Sequence, residues 1–256
     1  MTQGLLEISG LDAGYGQTQV LRAIDLTIAP RARVGLFGPN GHGKTTLLRA
    51  VSGLLRPMAG TITFDGQRVD GLKPGRIVER GIVHVPQGNL LFPRLSVAEA
   101  LSLGTYAKRA RAGAKRNLDR VLTLFPRLAE RRPQACGTLS GGERQMLSIA
   151  LGVLTAPRLL ILDEPTLGLA PRIKDELCDA VRILSEDDMA LIVVEQDVEF
   201  LMGLTDTLFM MEHGSIVLEI PPGGHLDQAE IMALYFGQGS TSEVSAATPG
   251  APSPRI

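Results

Sequence analysis

One segment limits the fold more than any other: RVGLFGPNGHGKTTLLRAV, residues 33–51. Its first five residues are apolar apart from Arg33 and are flanked by turn signals, as a buried central strand is. From Thr45 onward the pattern is helical, with Leu47, Leu48, Val51, Leu54 and Leu55 on one side. Between strand and helix, residues 38–46 fit G-x-x-x-x-G-K-[ST], in the context that motif requires. A strand, such a loop and a helix in succession belong to an α/β core with a mostly parallel sheet and helices on both faces. Average residue usage gives a chance match in about one chain of this length per hundred.

The chemistry of the loop follows from its residue types. Gly38, Gly41 and Gly43, with Pro39, Asn40 and His42 between them, let backbone N–H groups curl around phosphate oxygens. The helix start beneath adds its partial positive charge. Lys44 reaches the outer phosphates, Thr45 ligates Mg²⁺, and Thr46 extends the motif. Downstream, LLILDE ends an apolar strand in two carboxylates. Asp163 is placed to hold Mg²⁺ through water, and Glu164 to polarise an attacking water. Together these features predict phosphoryl transfer to water: hydrolysis of a nucleoside triphosphate.

A second motif, LSGGERQML at residues 139–147, starts a helix. Ser140 serves as N-cap and Glu143 completes a capping box. Met146, Ile149, Ala150, Val153 and Leu154 then recur at helical spacing down to Pro157. Capping does not require Gly141 and Gly142, which loosen a helix by up to about 1 kcal/mol each relative to alanine. Their presence predicts a close approach at this helix start.

Around these motifs the chain reads as one large domain with inserts. The first thirty residues alternate apolar and polar, as half-exposed antiparallel strands do. GTITFDGQRV continues that pattern, and GIVHVPQ, RLLILDEP and ALIVVEQ read as buried strands. Residues 93–137 are helical and basic: Lys108, Arg109, Arg111, Lys115 and Arg116 are followed by Arg120, Arg127, Arg131 and Arg132. They form a solvated face, or a contact with anionic lipid headgroups. A helix starts at Pro171 with Ile173, Leu177, Val181 and Leu184 on one face; DVEFLMGL is a further helix, and TLFMMEHGSIVLEI a hairpin turning at His213 and Gly214. After a short helix near residues 229–237, residues 238–256 are small, polar and proline-rich, a disordered tail.

Composition excludes several classes. A net charge of −1 gives no field that favours nucleic acid, and 4% aromatics without tryptophan argue against a base-stacking platform. Cys136 and Cys178 lack metal-ligand spacing and fit a reduced, cytoplasmic setting. No signal peptide and no run of about 18 apolar residues is present, so work at a membrane requires another subunit as anchor.

With the phosphate loop, the Asp-Glu strand and LSGGE together, the chain resembles the nucleotide-binding subunits of ATP-binding cassette (ABC) transporters, from residue 5 to about 237. The resemblance implies a P-loop NTPase core, an N-terminal antiparallel β subdomain and an α-helical subdomain inserted at about 93–150. It implies ATP and Mg²⁺, and a head-to-tail pair in which Ser140, Gly141, Gly142 and Glu143 of one subunit close on the ATP of the other. Tyr15 matches the aromatic that stacks on adenine, Gln87 the glutamine that contacts Mg²⁺ and water, and residues 166–171 the segment that crosses the interface. Gln196 stands where the family usually has histidine; an amide can hydrogen-bond a γ-phosphate but carries no proton. That leaves Glu164 as the base or water-orienting group, with Gln87 and Gln196 beside it. At His42 a small residue is commoner, and its ring is expected in solvent.

VPQGNLLFPRLSVAEALSLG, PTLGLAP and VVEQD are similar to the second ATPase subunit of branched-chain amino-acid importers, whose relatives serve urea and short-chain amides. Gln196 fits that branch; many of its members carry glutamate where Gln87 stands. The resemblance implies a sister ATPase, permease subunits that hold the chain at the inner face of the membrane, and an extracytoplasmic binding protein. A cassette ATPase acting on ribosomes or DNA, a non-catalytic nucleotide sensor and an exporter ATPase are the rival readings.

Overall fold

The computed structural model describes residues 4–88, 91–185 and 188–224. The compact unit to which they belong closes at Gly224. The helix expected near 229–237 and the tail expected at 238–256 lie outside the described residues.

The chain opens with β1 (Leu6–Tyr15) and β2 (Thr18–Ile28), paired antiparallel from Leu6–Ile28 to Tyr15–Thr18. In β2 the residues from Ile24 to Ile28 alternate buried and exposed, the mark of a sheet wet on one face. Next come β3 (Arg33–Phe37), α1 (Lys44–Val51), β4 (Ala59–Phe64), β5 (Gln67–Arg68), α2 (Pro74–Arg80) and β6 (Ile82–Val85). Strand β4 pairs with the other edge of β1, giving a four-stranded antiparallel sheet of order β2-β1-β4-β5.

The helical segment follows as α3 (Val97–Gly104), α4 (Ala114–Leu124), α5 (Pro126–Glu130) and α6 (Gly141–Leu154). Then β7 (Leu159–Asp163), α7 (Pro171–Ser185), β8 (Ala190–Val194), α8 (Val198–Leu204), β9 (Thr207–Glu212) and β10 (Ser215–Ile220) complete the unit. The second sheet has order β10-β9-β3-β8-β7-β6, parallel except for β10, which returns from β9 as a hairpin. Every residue of β7 and β8 is buried, as expected of parallel strands covered on both faces.

Helix α1 lies between the sheets. Leu47, Leu48 and Val51 share one core with Ile8, Leu26 and Ile62 of the first sheet and Leu36, Ile161 and Ile192 of the second. The helix ends earlier than its apolar spacing predicts. Gly53 takes a left-handed φ of 71°, and the N–H groups of Leu54 and Leu55 turn back to the Arg49 carbonyl. Leu54 is therefore 58% exposed rather than part of the core face.

Helix α6 packs on α3, α4 and α5 and also on β6 and β7, so it joins the helical segment to the sheet. Gly152 permits that contact, because a Cβ there would lie 2.7 Å from Val85 Cγ2. Lys108, Arg111, Lys115, Arg116 and Arg132 are exposed on the basic face. Among the described residues no helix is long and apolar enough to cross a membrane.

Candidate active site

The parallel strands β3, β7 and β8 deliver three loops to one end of the sheet. From β3 comes the phosphate loop. Gly38 has φ 141°, and a Cβ there would stand 2.1 Å from the Met211 carbonyl of β9, so no other residue fits this exit. Lys44 is buried, with its ammonium 2.7 Å from the Gly38 carbonyl and 3.0 Å from that of Pro39. Burial holds it below the ordinary lysine range, against the pull of Glu164 and Asp163.

From β7 come the two carboxylates. Asp163 is 2% exposed, and its Oδ1 accepts a 3.4 Å hydrogen bond from the Thr45 hydroxyl. Burial, together with the neighbouring Glu164, pushes its carboxyl up to about 6; Thr45, Arg49 and Lys44 act in the other direction. A hydroxyl and a carboxylate oxygen this close form a hard-oxygen donor pair of the kind Mg²⁺ takes, and a cation there would relieve the charge that burial penalises.

Glu164 sits in a strained left-handed turn, φ 46°, with its N–H on the Val194 carbonyl of β8. That turn throws its side chain between two amides. Gln87, just past β6, donates from Nε2 to Glu164 Oε2 at 2.8 Å, and Gln196, just past β8, donates to Oε1 at 3.0 Å. Three residues far apart in sequence thus meet at one carboxylate. Each glutamine spends one N–H of its NH₂ group on Glu164, so its second N–H and its carbonyl oxygen are the atoms offered elsewhere.

Tyr15 ends β1 beside α1 and is 44% exposed; its hydroxyl accepts from Arg49 at 3.1 Å. His42 departs from expectation. Its ring is half-buried rather than in solvent, stacked on His213 with centroids 4.6 Å apart, and its Nδ1 accepts the His213 N–H at 3.1 Å. The phosphate loop is therefore tied to the β9–β10 turn, a contact that residue spacing does not reveal.

The LSGGE helix start has the capping box its sequence predicts: Ser140 N–H donates to Glu143 Oε2 at 2.8 Å, and Glu143 N–H to Ser140 Oγ at 3.3 Å. Arg131 pairs with Glu143 from the preceding turn. The two glycines have different reasons. A Cβ on Gly142 would stand 2.9 Å from Ile173 Cγ2, so that glycine serves packing of α6 against α7. Among the described residues a Cβ on Gly141 would meet nothing within 4 Å, so none of them requires that glycine.

Two contributors escaped the sequence reading. Glu195, 3% exposed at the end of β8, binds Thr166 by both N–H and hydroxyl, each at 2.7 Å. Its signal was present in ALIVVEQ, where a carboxylate closes an otherwise apolar strand. Arg49, which touches Tyr15 and acts on Asp163, gave no signal beyond a charged helix position.

Residues 21–167 match the family model described as ABC transporter. The chain belongs to that family. Among curated relatives it is similar to the high-affinity branched-chain amino acid transport ATP-binding protein BraG of Pseudomonas aeruginosa, 34% identical over 91% of this chain and 100% of BraG. BraF of the same organism, with the same description, is 28% identical over 93% of this chain and 100% of its own length. Among solved structures, an ATP-binding cassette of an ABC transporter superposes with a TM-score of 0.77 at 20% identity, over 92% of this chain and 96% of that one. The protein is an ABC ATPase, a nucleotide-binding subunit that hydrolyses ATP to energise transport.

Proposed function

We propose that this ABC ATPase drives import of branched-chain amino acids, paired with a second ATPase and held at the inner face of the cell membrane by permease subunits. The observation that carries the reading is the Glu164 carboxylate, clasped by Gln87 and Gln196 beside the phosphate loop, in a chain that spans the whole length of BraG. BraG and BraF are two ATP-binding proteins of one organism with one description, which favours a sister subunit over a second copy as the partner.

In this reading the backbone of residues 38–43 and the start of α1 cradle the phosphates, and Lys44 leaves its carbonyl contacts for the γ-phosphate. Tyr15 stacks on adenine. Thr45, Asp163 and the Gln87 carbonyl oxygen would hold Mg²⁺, which when bound neutralises charge on the outer phosphates. Glu164 orients the attacking water and accepts its proton. Gln196 fixes the Glu164 carboxylate and hydrogen-bonds the γ-phosphate without exchanging a proton. Ser140, Gly141 and Gly142 serve the partner's nucleotide, with the helix start turned to its γ-phosphate. An apolar hollow of about 460 Å³ lined by Phe92, Pro93, Arg94, Leu95 and Leu103 receives a cytoplasmic helix of the permease.

Glu164→Gln tests the catalytic assignment. Turnover should fall by about 100-fold or more while ATP binding, read by equilibrium dialysis, stays at the wild-type value. Full hydrolysis by that variant refutes the role of Glu164. Purification from membranes tests the assembly, with a permease and a second ATPase recovered together.

A further inference from the structure

The loops leaving β7 and β8 are stitched together by one buried carboxylate. Glu195 Oε1 accepts both the N–H and the hydroxyl of Thr166, and Oε2 accepts the N–H of Gln196 at 3.2 Å. Burial pushes the Glu195 carboxyl up, with Glu164 nearby adding to the effect, and the three donors oppose it. A buried ionisable group is costly where an apolar residue would fill the strand end equally well. Its two ends face different things. Thr166 opens the 166–171 segment, where Leu167 is 59% exposed, a large apolar side chain presented outward. Gln196 holds the Glu164 carboxylate.

We propose that Glu195 is a positioning residue for hydrolysis: it fixes Gln196 relative to the Thr166 loop, so that a partner subunit pressing on that loop sets the position of the Glu164 carboxylate. The inference rests on the assignment of Glu164 given above. It accounts for three features at once: the paired donors of Thr166, the charge at the end of an apolar strand, and the exposed Leu167 beside the tether.

The chemistry of the amide separates the two ends. In Glu195→Gln one oxygen still accepts both Thr166 donors, but an NH₂ group faces the Gln196 N–H, donor against donor. The hydrogen bond that orients the Gln196 N–H is lost, although the peptide bond still joins the two residues, and both hydrogen bonds from Thr166 are kept. The test is a cycle of Glu195→Gln, Gln196→Ala and the double variant, each assayed in the assembled pair for kcat, KM and ATP binding. A residue that acts through Gln196 lowers kcat by about tenfold with KM for ATP unchanged. In the Gln196→Ala background the same change should then alter kcat by less than about twofold, because the group it positions is gone. Wild-type kcat in Glu195→Gln, or equal losses in both backgrounds, overturns the proposal.

Should Glu195→Gln fail to fold, Thr166→Val puts the same question, since it removes one donor at nearly constant volume; Thr166→Ser, which keeps the donor, should restore kcat. Glu164→Gln run alongside keeps the two readings apart. If that variant hydrolyses ATP, the assignment of Glu164 fails; if it is inactive and the cycle is additive, the positioning role alone fails.

Discussion

The adjacent glycines Gly141 and Gly142 should respond oppositely to the same substitution. In Gly142→Ala the new methyl stands 2.9 Å from Ile173 Cγ2, on a branched side chain with little freedom to withdraw. Overpacking of this kind costs about 1–3 kcal/mol, offset by at most about 1 kcal/mol from the better helix former. A net loss of up to about 2 kcal/mol should lower Tm by up to roughly 8 °C in a domain of this size. Ile173→Ala in the same chain removes the clashing methyl, so the two changes should couple by about 1 kcal/mol in a thermal-unfolding cycle. Gly141→Ala adds a methyl that meets none of the described residues, so Tm should hold or rise slightly. On the proposed head-to-tail pairing its cost appears only in the assembled ATPase, where the methyl would stand between the helix start and the partner's γ-phosphate. Hydrolysis should fall about tenfold to a hundredfold, equivalent to about 1.4–2.8 kcal/mol of lost stabilisation. Gly141→Ala with unchanged Tm and unchanged ATPase activity would refute the claim that this helix start serves a second subunit.

Asp163, which is buried, and His84, which is half-buried, should give opposite pH dependences of stability. The Asp163 carboxyl is pushed up to about 6 in the fold, chiefly by burial, so its protonation stabilises the nucleotide-free protein below about pH 4 and that contribution is lost as pH rises through 6. Asp163→Asn should therefore gain stability over wild type at pH 8, by about 1–3 kcal/mol, with the difference closing towards pH 4. His84, held down to about 4 by burial and then by Arg49, contributes stability that is full above about pH 6.5 and lost as pH falls through 4. His84→Gln should lose less stability than wild type across that window; urea melts at pH 4, 6 and 8 check both signs. Phe92, 66% exposed, and Leu95 line the apolar hollow, so Phe92→Asp or Leu95→Asp should cut transport in membranes at least about tenfold and leave ATP binding unchanged.

Much of this architecture is legible in the sequence because it rests on local physics. Alternation in β2, unbroken apolar runs in β7 and β8, and the Ser140–Glu143 box each follow from a few neighbouring residues. Apolar spacing extends α1 through Leu54, whereas the helix ends at Val51 and the chain turns at Gly53, because a left-handed glycine outweighs the continuing pattern. Contacts between distant loops leave no such trace. The clasp of Gln87 and Gln196 on Glu164 depends on the parallel order of β6, β7 and β8 and on the left-handed turn at Glu164. The seat of His42 against His213 depends on β9 lying beside β3. Gly142 has a packing reason that the sequence does not reveal, since Ile173 Cγ2 stands 2.9 Å from where its Cβ would be. For Gly141 no such neighbour lies within 4 Å among the described residues, so the close approach proposed for both glycines is tested most cleanly there.

The central claim is that half of each reaction chamber belongs to another polypeptide. ATP hydrolysis per mole of purified subunit, followed over a thousandfold dilution with its partner ATPase supplied in equal amount, tests it directly. The account predicts specific activity that falls steeply once the pair dissociates, while nucleotide binding per subunit stays constant. Activity per mole that holds constant down to fully monomeric protein would contradict it.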